Sequence, residues 1–273
     1  MDEDAYYMRV QSAYDRIAPL YDDSVGKSAV SRRAKQLALR TVKRLTPSGG
    51  LLLDIGCYTG IEALLLAQQG FRVVGVDLSP VMIRIAEAKA RQRRLHGQVN
   101  FEVLRASDIK GLLGRGYGPF DTAYSVYGTL NLEPRIRDFK EGVLALLKER
   151  GSLVCGLLNP TVLYELVIAP FLLKFHGYRK LAKNRVPTRI GLGTDTLDTF
   201  LYTPEDFSSL MEPEFHLTEV RGLHVLYPPP RGTSGSGLWW IPRALDSLEL
   251  FIEAKFPFTH LGFFTLLTFA RAD

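Results

Sequence analysis

With two cysteines in 273 residues, the chain has no means of building a disulfide framework. Cys57 and Cys155 both sit in apolar, strand-like surroundings and are expected to be reduced thiols. Long hydrophobic runs are missing as well. The stretch Leu163–Phe175 is interrupted by Glu165, Pro170 and Lys174, which excludes a membrane-spanning helix of about 20 apolar residues. The opening MDEDAYYMRV starts acidic and lacks the basic-then-apolar profile of a secretion signal, so a cytoplasmic protein is expected. Metal-ligand spacing is absent: His96, His176, His216, His224 and His260 are scattered, and no metal is expected. No internal repeat is present. A net charge of +5 is too small to demand a polyanionic partner.

What is present is an alternation of strand-like and helix-like segments from Leu51 to Leu158, the mark of βαβ units and a mostly parallel sheet. Strands are expected at Leu51–Ile55, Phe71–Val76, Val99–Leu104, Phe120–Val126 and Ser152–Leu158. Helices are expected at Ile61–Gln69, from Pro80 to about Leu95, and from about Pro134 to Lys148. Gly70 reads as a C-terminal cap, and Ser79-Pro80 as an N-cap with proline at the first helical position. The stretch GLLGRGYGP reads as a loop between strands three and four. After Asn159 the pattern changes, and residues 160–202 read as a lid or cap on the acceptor side of a core formed by residues 1–159. Residues 203–273 then complete the same sheet with a short helix from Thr203, strands Phe215–Gly222 and Gly262–Ala270, and a helix over Pro242–Lys255.

The chemistry concentrates in LLLDIGCYTG. An apolar strand carries Asp54 to the carboxyl edge of the sheet, where open α/β folds bind ligands. Gly56 and Gly60 allow a tight turn that brings backbone close to a ligand. Asp77 ends the second strand 23 residues later, where a carboxylate can accept both hydroxyls of a ribose. The turn is G-x-x-x-G without G-x-G-x-x-G, and an acid precedes its first glycine. A pyrophosphate would be repelled there, whereas a ligand carrying a ribose and a cationic amino group suits the site.

These residues resemble the first motif of the class I S-adenosylmethionine-dependent methyltransferases, written D-x-G-x-G-x-G. The likeness continues through Asp77, Ser107-Asp108-Ile109 and DTAYSVYGTLN. The upstream AYDRIAPLYDD resembles the branch containing ubiquinone and menaquinone biosynthesis methyltransferases. The resemblance implies an α/β, Rossmann-like class I methyltransferase fold: a mostly parallel sheet with an antiparallel late strand, helices on both faces and a lid insertion. It implies S-adenosyl-L-methionine as the cofactor. By the same resemblance Gly56, Cys57 and Gly60 lie under the methionine portion, with Asp54 near its amino group. Asp77 takes the ribose, Leu78 and Met82 lie beside the adenine, Ser107 and Asp108 meet the adenine edge and Ile109 packs on the ring. Ser125 and Val126 lie beneath the methionine chain, and Tyr14 and Tyr21 cover the site. The family's middle glycine is Tyr58 here.

Transfer from a sulfonium needs a base only when the acceptor holds its proton at neutral pH. Tyr127, His176 and His224 are the candidate catalytic residues, with Tyr7 a further candidate, and Asn131 either positions an acceptor or caps a loop. VLYELVIAPFLLKF with Trp239, Trp240, Phe256 and Phe258 suggests an apolar acceptor pocket, though ordinary core packing explains these residues slightly better; a small apolar or aromatic molecule is the leading acceptor class. Nucleic acid is the alternative acceptor, on Arg179, Lys180, Lys183 and Arg185; a non-catalytic regulator that binds the same cofactor is a third reading, and a homodimer is left open.

Overall fold

The computed structural model describes residues 2–25, 29–168, 185–189, 195–226 and 243–272. Before the sheet begins come α1 (Glu3–Ile17), α2 (Tyr21–Val25) and α3 (Ala29–Leu45). There follow β1 (Leu51–Ile55), α4 (Ile61–Ala67), β2 (Arg72–Asp77), α5 (Pro80–Gln92), β3 (Val99–Val103), β4 (Phe120–Ser125), α6 (Ile136–Leu146) and β5 (Leu147–Leu158). A hairpin of β6 (Arg185–Arg189) and β7 (Thr196–Phe200) precedes α7 (Pro204–Met211), β8 (Phe215–Leu223), α8 (Arg243–Ile252) and β9 (Phe264–Arg271).

Among the described residues seven strands form one sheet in the order β3-β2-β1-β4-β5-β9-β8. Strands β1 to β5 pair in parallel, and β9 runs antiparallel to both of its neighbours. From β1 the chain winds outward to β2 and β3, then returns to β4 on the other side. That reversal opens a crevice at the carboxyl ends of β1 and β4, where such sheets hold ligands.

Both faces of the sheet are covered, which is why β1 reads as a continuous apolar run. Leu52 joins the core with Ala38, Val42, Leu64 and Ile83 from α3, α4 and α5. Leu53 and Ile55 point oppositely, into a core with Phe139, Val143 and Phe207 from α6 and α7. By the two-residue period of a strand, Asp54 shares the face of Leu52. α6 buries Phe139, Val143 and Leu146 at helical spacing on one stripe.

Two expected boundaries move. β5 begins at Leu147, because Phe120 pairs with Leu147 before the register shifts and Thr122 pairs with Ser152. The expected loop before β4 is partly a 3-10 segment, Ala106–Arg115, which turns Ile109 and Leu112 into the core. The loop over 227–242 lies outside the described residues.

The start of α7 is a reciprocal cap: Thr203 Oγ1 accepts from Asp206 N at 3.1 Å, and Asp206 Oδ2 accepts from Thr203 N at 3.3 Å. Thr203→Ala removes one half of it. The expected loss is about 1 kcal/mol of stability, read as a lowered urea midpoint with unchanged slope.

Candidate active site

The turn after β1 is set by backbone. Gly56 N and Cys57 N both donate to Val76 O, at 2.8 and 2.9 Å, so the chain folds back across the tip of β2. Gly60, at φ 74°, is the N-cap of α4. A Cβ there would stand 2.7 Å from Phe101 Cζ and 2.9 Å from Ala86 Cβ. Close packing of α4 on the sheet therefore demands this glycine.

Asp77 is held by the same turn. Its Oδ1 accepts from Ser79 N at 2.8 Å and its Oδ2 from Tyr58 N at 2.9 Å. A carboxylate oxygen can accept twice, so each retains capacity for a ligand hydroxyl. Burial pushes the Asp77 carboxyl up to about 6, while the two backbone N–H groups pull it back.

Beside Asp77 opens a cleft at the carboxyl edge of the sheet. Its walls are Leu78 at the tip of β2, Leu104, Arg105 and Ala106 after β3, and Thr129, Leu132 and Glu133 after β4. Tyr7, Val10 and Tyr14 of α1 form its roof, and Gly56 and Tyr58 its inner end. Glu133 is buried and accepts from Tyr7 Oη, from Ser107 N at 3.1 Å and from Arg135 N at 2.9 Å. Burial raises its carboxyl above the usual range, against those three donors. The roof is pinned at both ends. Asp15 accepts from Ser79 Oγ, itself the cap of α5, and Asp22 bonds Thr59 Oγ1 and Lys89 Nζ. Tyr6 Oη reaches Asp198 O at 2.7 Å, and Arg16 pairs with Asp195 at 2.6 Å, tying α1 to the β6–β7 hairpin.

On the α3 side of the turn lies a second polar group. Asp54 is buried, and burial followed by the charge of Glu62 raises its carboxyl well above normal, opposed by the Tyr124 hydroxyl. Lys35 Nζ pairs with Glu62 Oε1 at 2.8 Å and lies 5.5 Å from the Tyr127 ring centroid. Asp54 Oδ2, Ser125 Oγ and Tyr127 Oη are buried with no hydrogen-bond partner among the described residues.

The structure brings Tyr14, Gly56, Asp77 and Leu78 into the cleft wall. Tyr21 stacks on Tyr58 with ring centroids 4.8 Å apart. Cys57 and Val126 are buried in the core on the α3 side, and Met82 is buried with Ala18, Tyr21 and Tyr58 behind the wall. Ser107 binds Glu133 through its N–H, while Ser125 and Asp54 both lie outside the cleft wall.

Three of the expected site residues stand outside the cleft wall. Ile109 does not face the cleft: its 3-10 turn drives it into the core against Gly142, and Leu104 and Ala106 stand in the wall instead. Asp108 is not itself in the wall; it lies 3.4 Å from Arg135 and 3.9 Å from Arg105, which is. Tyr127 is not part of the wall, and burial, then Glu62, raise its hydroxyl above the ordinary value.

His224 is buried at the end of β8, edge-on to Phe264, and does not line the cleft. His176, Arg179, Lys180, Lys183, Trp239 and Trp240 lie outside the described residues. Arg185 pairs with Asp198, and Phe256 is 82% exposed rather than part of a pocket. Asn131 is a loop staple, donating to Leu158 O and Phe200 O and accepting from Leu158 N. No group of three metal-binding side chains occurs among the described residues, nor does any helix there long and apolar enough to cross a membrane.

Residues 52–151 match the sequence family described as a methyltransferase domain. A ubiquinone biosynthesis O-methyltransferase of Xylella fastidiosa is 30% identical over 194 residues, 69% of each chain. A ubiquinone/menaquinone biosynthesis C-methyltransferase of a Geobacter species is 30% identical over 152 residues, 54% of this chain and 61% of the relative. The chain thus spans 69% and 61% of the length of these two curated relatives. Two solved structures share the fold at low identity. The [4+2]-cyclase SpnF superposes with a TM-score of 0.61 at 18% identity, over 96% of this chain and 95% of that one. A 1,6-didemethyltoxoflavin-N1-methyltransferase of Burkholderia thailandensis, solved with that substrate and S-adenosylhomocysteine, superposes with a TM-score of 0.55 at 16% identity, over 99% and 90%.

Proposed function

Because the chain belongs to the S-adenosylmethionine-dependent methyltransferase family, we propose that it transfers the methyl group of S-adenosylmethionine to a small apolar or aromatic acceptor. The observation that carries the donor half is Asp77, a buried carboxylate with acceptor capacity to spare on both oxygens, set in the wall of a cleft. S-adenosylmethionine supplies a methyl group already activated by its sulfonium.

In this reading Asp77 accepts the ribose hydroxyls. Leu78, Leu104 and Ala106 flank the base, with Ser107 and Glu133 at its polar edge. Gly56, Cys57 and Tyr58 line the way to the amino-acid tail, which Asp54 receives near Ser125. Tyr14 and Tyr21 cover the donor, and Met82 and Val126 back the walls. The residues contribute position and exclusion of water rather than proton removal by Tyr127. Residues 160–202 serve as a lid on the core of residues 1–159, and residues 203–273 complete the sheet. Leu197 and Phe200 of the hairpin, packed on Tyr6, Val10 and Ala13 of α1, support that role.

A small acceptor is supported by relatives named for ubiquinone and menaquinone biosynthesis and by the neighbour holding 1,6-didemethyltoxoflavin. Incubation with methyl-labelled donor and a panel of phenols, quinols, heteroaromatics and bulk RNA tests this. Label is expected in a small-molecule fraction. Label in RNA alone, or in nothing while the donor binds, contradicts the reading.

A further inference from the structure

Polar groups flank the Gly56–Gly60 turn on two sides, and the chain's own side chains stand between them. On one side is the cleft of Asp77, Leu78, Ala106 and Glu133. On the other are Asp54 Oδ2 and Tyr127 Oη, buried polar atoms without partners among the described residues, with the Lys35–Glu62 pair beside them. None of these four residues belongs to the cleft wall.

The partition is Tyr58 with Thr129. The Thr129 side chain sits so close over Gly56 that a Cβ there would lie 2.3 Å from its Oγ1. Tyr58 Oη is 3.1 Å from the same Oγ1, closing a bridge between the turns that follow β1 and β4. The Tyr58 ring is clamped by Tyr21, stacked at 4.8 Å, and by Tyr14 at 5.7 Å. Tyr58 holds this position at φ 50°, a conformation that bulky side chains rarely adopt and that persists where surrounding contacts over-determine it.

We propose that Tyr58 and Thr129 form a gate between the nucleoside cleft and a tail pocket of Asp54, Lys35 and Glu62. The gate must open for an adenosyl ligand to seat a zwitterionic amino-acid tail. The carboxylates suit the tail's ammonium and Lys35 suits its carboxylate, so the tail itself supplies the differential affinity that opens the gate. A nucleoside without that tail fills the cleft and leaves the gate closed. The inference rests on the donor assignment above.

Two ligands separate gate from cleft: S-adenosylhomocysteine, which has the tail, and 5′-methylthioadenosine, which lacks it. Their affinities are measured by calorimetry on the wild type, Tyr58→Phe, Thr129→Val and Thr129→Ser. Losing the bridge is expected to raise the affinity ratio, tailed over tail-less, by about threefold to tenfold in Tyr58→Phe and Thr129→Val, the worth of one net hydrogen bond. Thr129→Ser keeps the hydroxyl and is expected to keep the wild-type ratio. An unchanged ratio in Tyr58→Phe overturns the gate, and so does a lowered one, which would mean that the hydroxyl holds the tail. If neither ligand binds the wild type, the donor assignment fails and the gate with it.

Discussion

Asp77→Ala lowers the affinity for S-adenosylhomocysteine by about 100-fold. Hydrogen bonds to a charged group contribute about 1.5–3 kcal/mol each. Two ribose hydroxyls therefore account for about 3 kcal/mol, and each 1.4 kcal/mol is a factor of ten. The substitution also frees Tyr58 N and Ser79 N, the two donors that hold the turn in place. Unchanged affinity in the variant would remove the ribose assignment. The same carboxylate gives the binding a pH dependence. Because burial raises it to about 6, wild-type affinity should fall as pH drops through that value and level off above about 7. Asp77→Asn, which does not titrate, should show no such fall. For folding the sign is opposite. A raised folded-state value means the stability from this group is fully present below about 3.9, the unfolded value, and is lost as pH rises through about 6. In the free protein the ionised Asp77 thus opposes folding at the pH where it serves binding.

Gly60→Ala should cost about 2–5 kcal/mol of stability. A side chain in the left-handed region at φ 74° accounts for about 1–2 kcal/mol of that. Forcing a methyl group between Phe101 Cζ at 2.7 Å and Ala86 Cβ at 2.9 Å adds about 1–3 kcal/mol of overpacking. Both neighbours, Ala86 of α5 and Phe101 of β3, are buried in the core. Equilibrium urea unfolding reads the loss directly. A change below about 1 kcal/mol would mean that the turn can relax, against the tight α4 packing described here.

The core of this fold was legible because its signals are local. β1 reads as a buried strand from five consecutive residues, and Ser79-Pro80 reads as a helix start from two, its Oγ accepting from Met82 N at 3.1 Å. Asp77 was found by its place at a strand end. Lost from view were residues whose role depends on distant partners. Lys35 meets Glu62 across two helices, and Glu133 meets Tyr7 from the far side of the cleft. Nothing in the immediate sequence of either marks it. That Asp108 and Ile109 stand outside the cleft wall was hidden for a related reason: a 3-10 segment rotates side chains differently from an extended loop, and family position alone does not reveal that rotation. The roof was readable only in part: the resemblance set Tyr14 and Tyr21 over the site, while the helix that buries Tyr6, Tyr7, Val10 and Ala13 was not read.

Fold alone does not decide chemistry, as the likeness to a [4+2]-cyclase shows. The reading of this protein therefore stands on its own site: the neighbouring tips of β1 and β2 and the cleft they frame. Titration calorimetry of the wild type and Asp77→Ala with S-adenosylmethionine and S-adenosylhomocysteine probes that site most directly. Saturable one-to-one binding of both compounds to the wild type, crippled by the substitution, is the predicted result. An absence of heat with either compound, or equal binding by the two proteins, would contradict it.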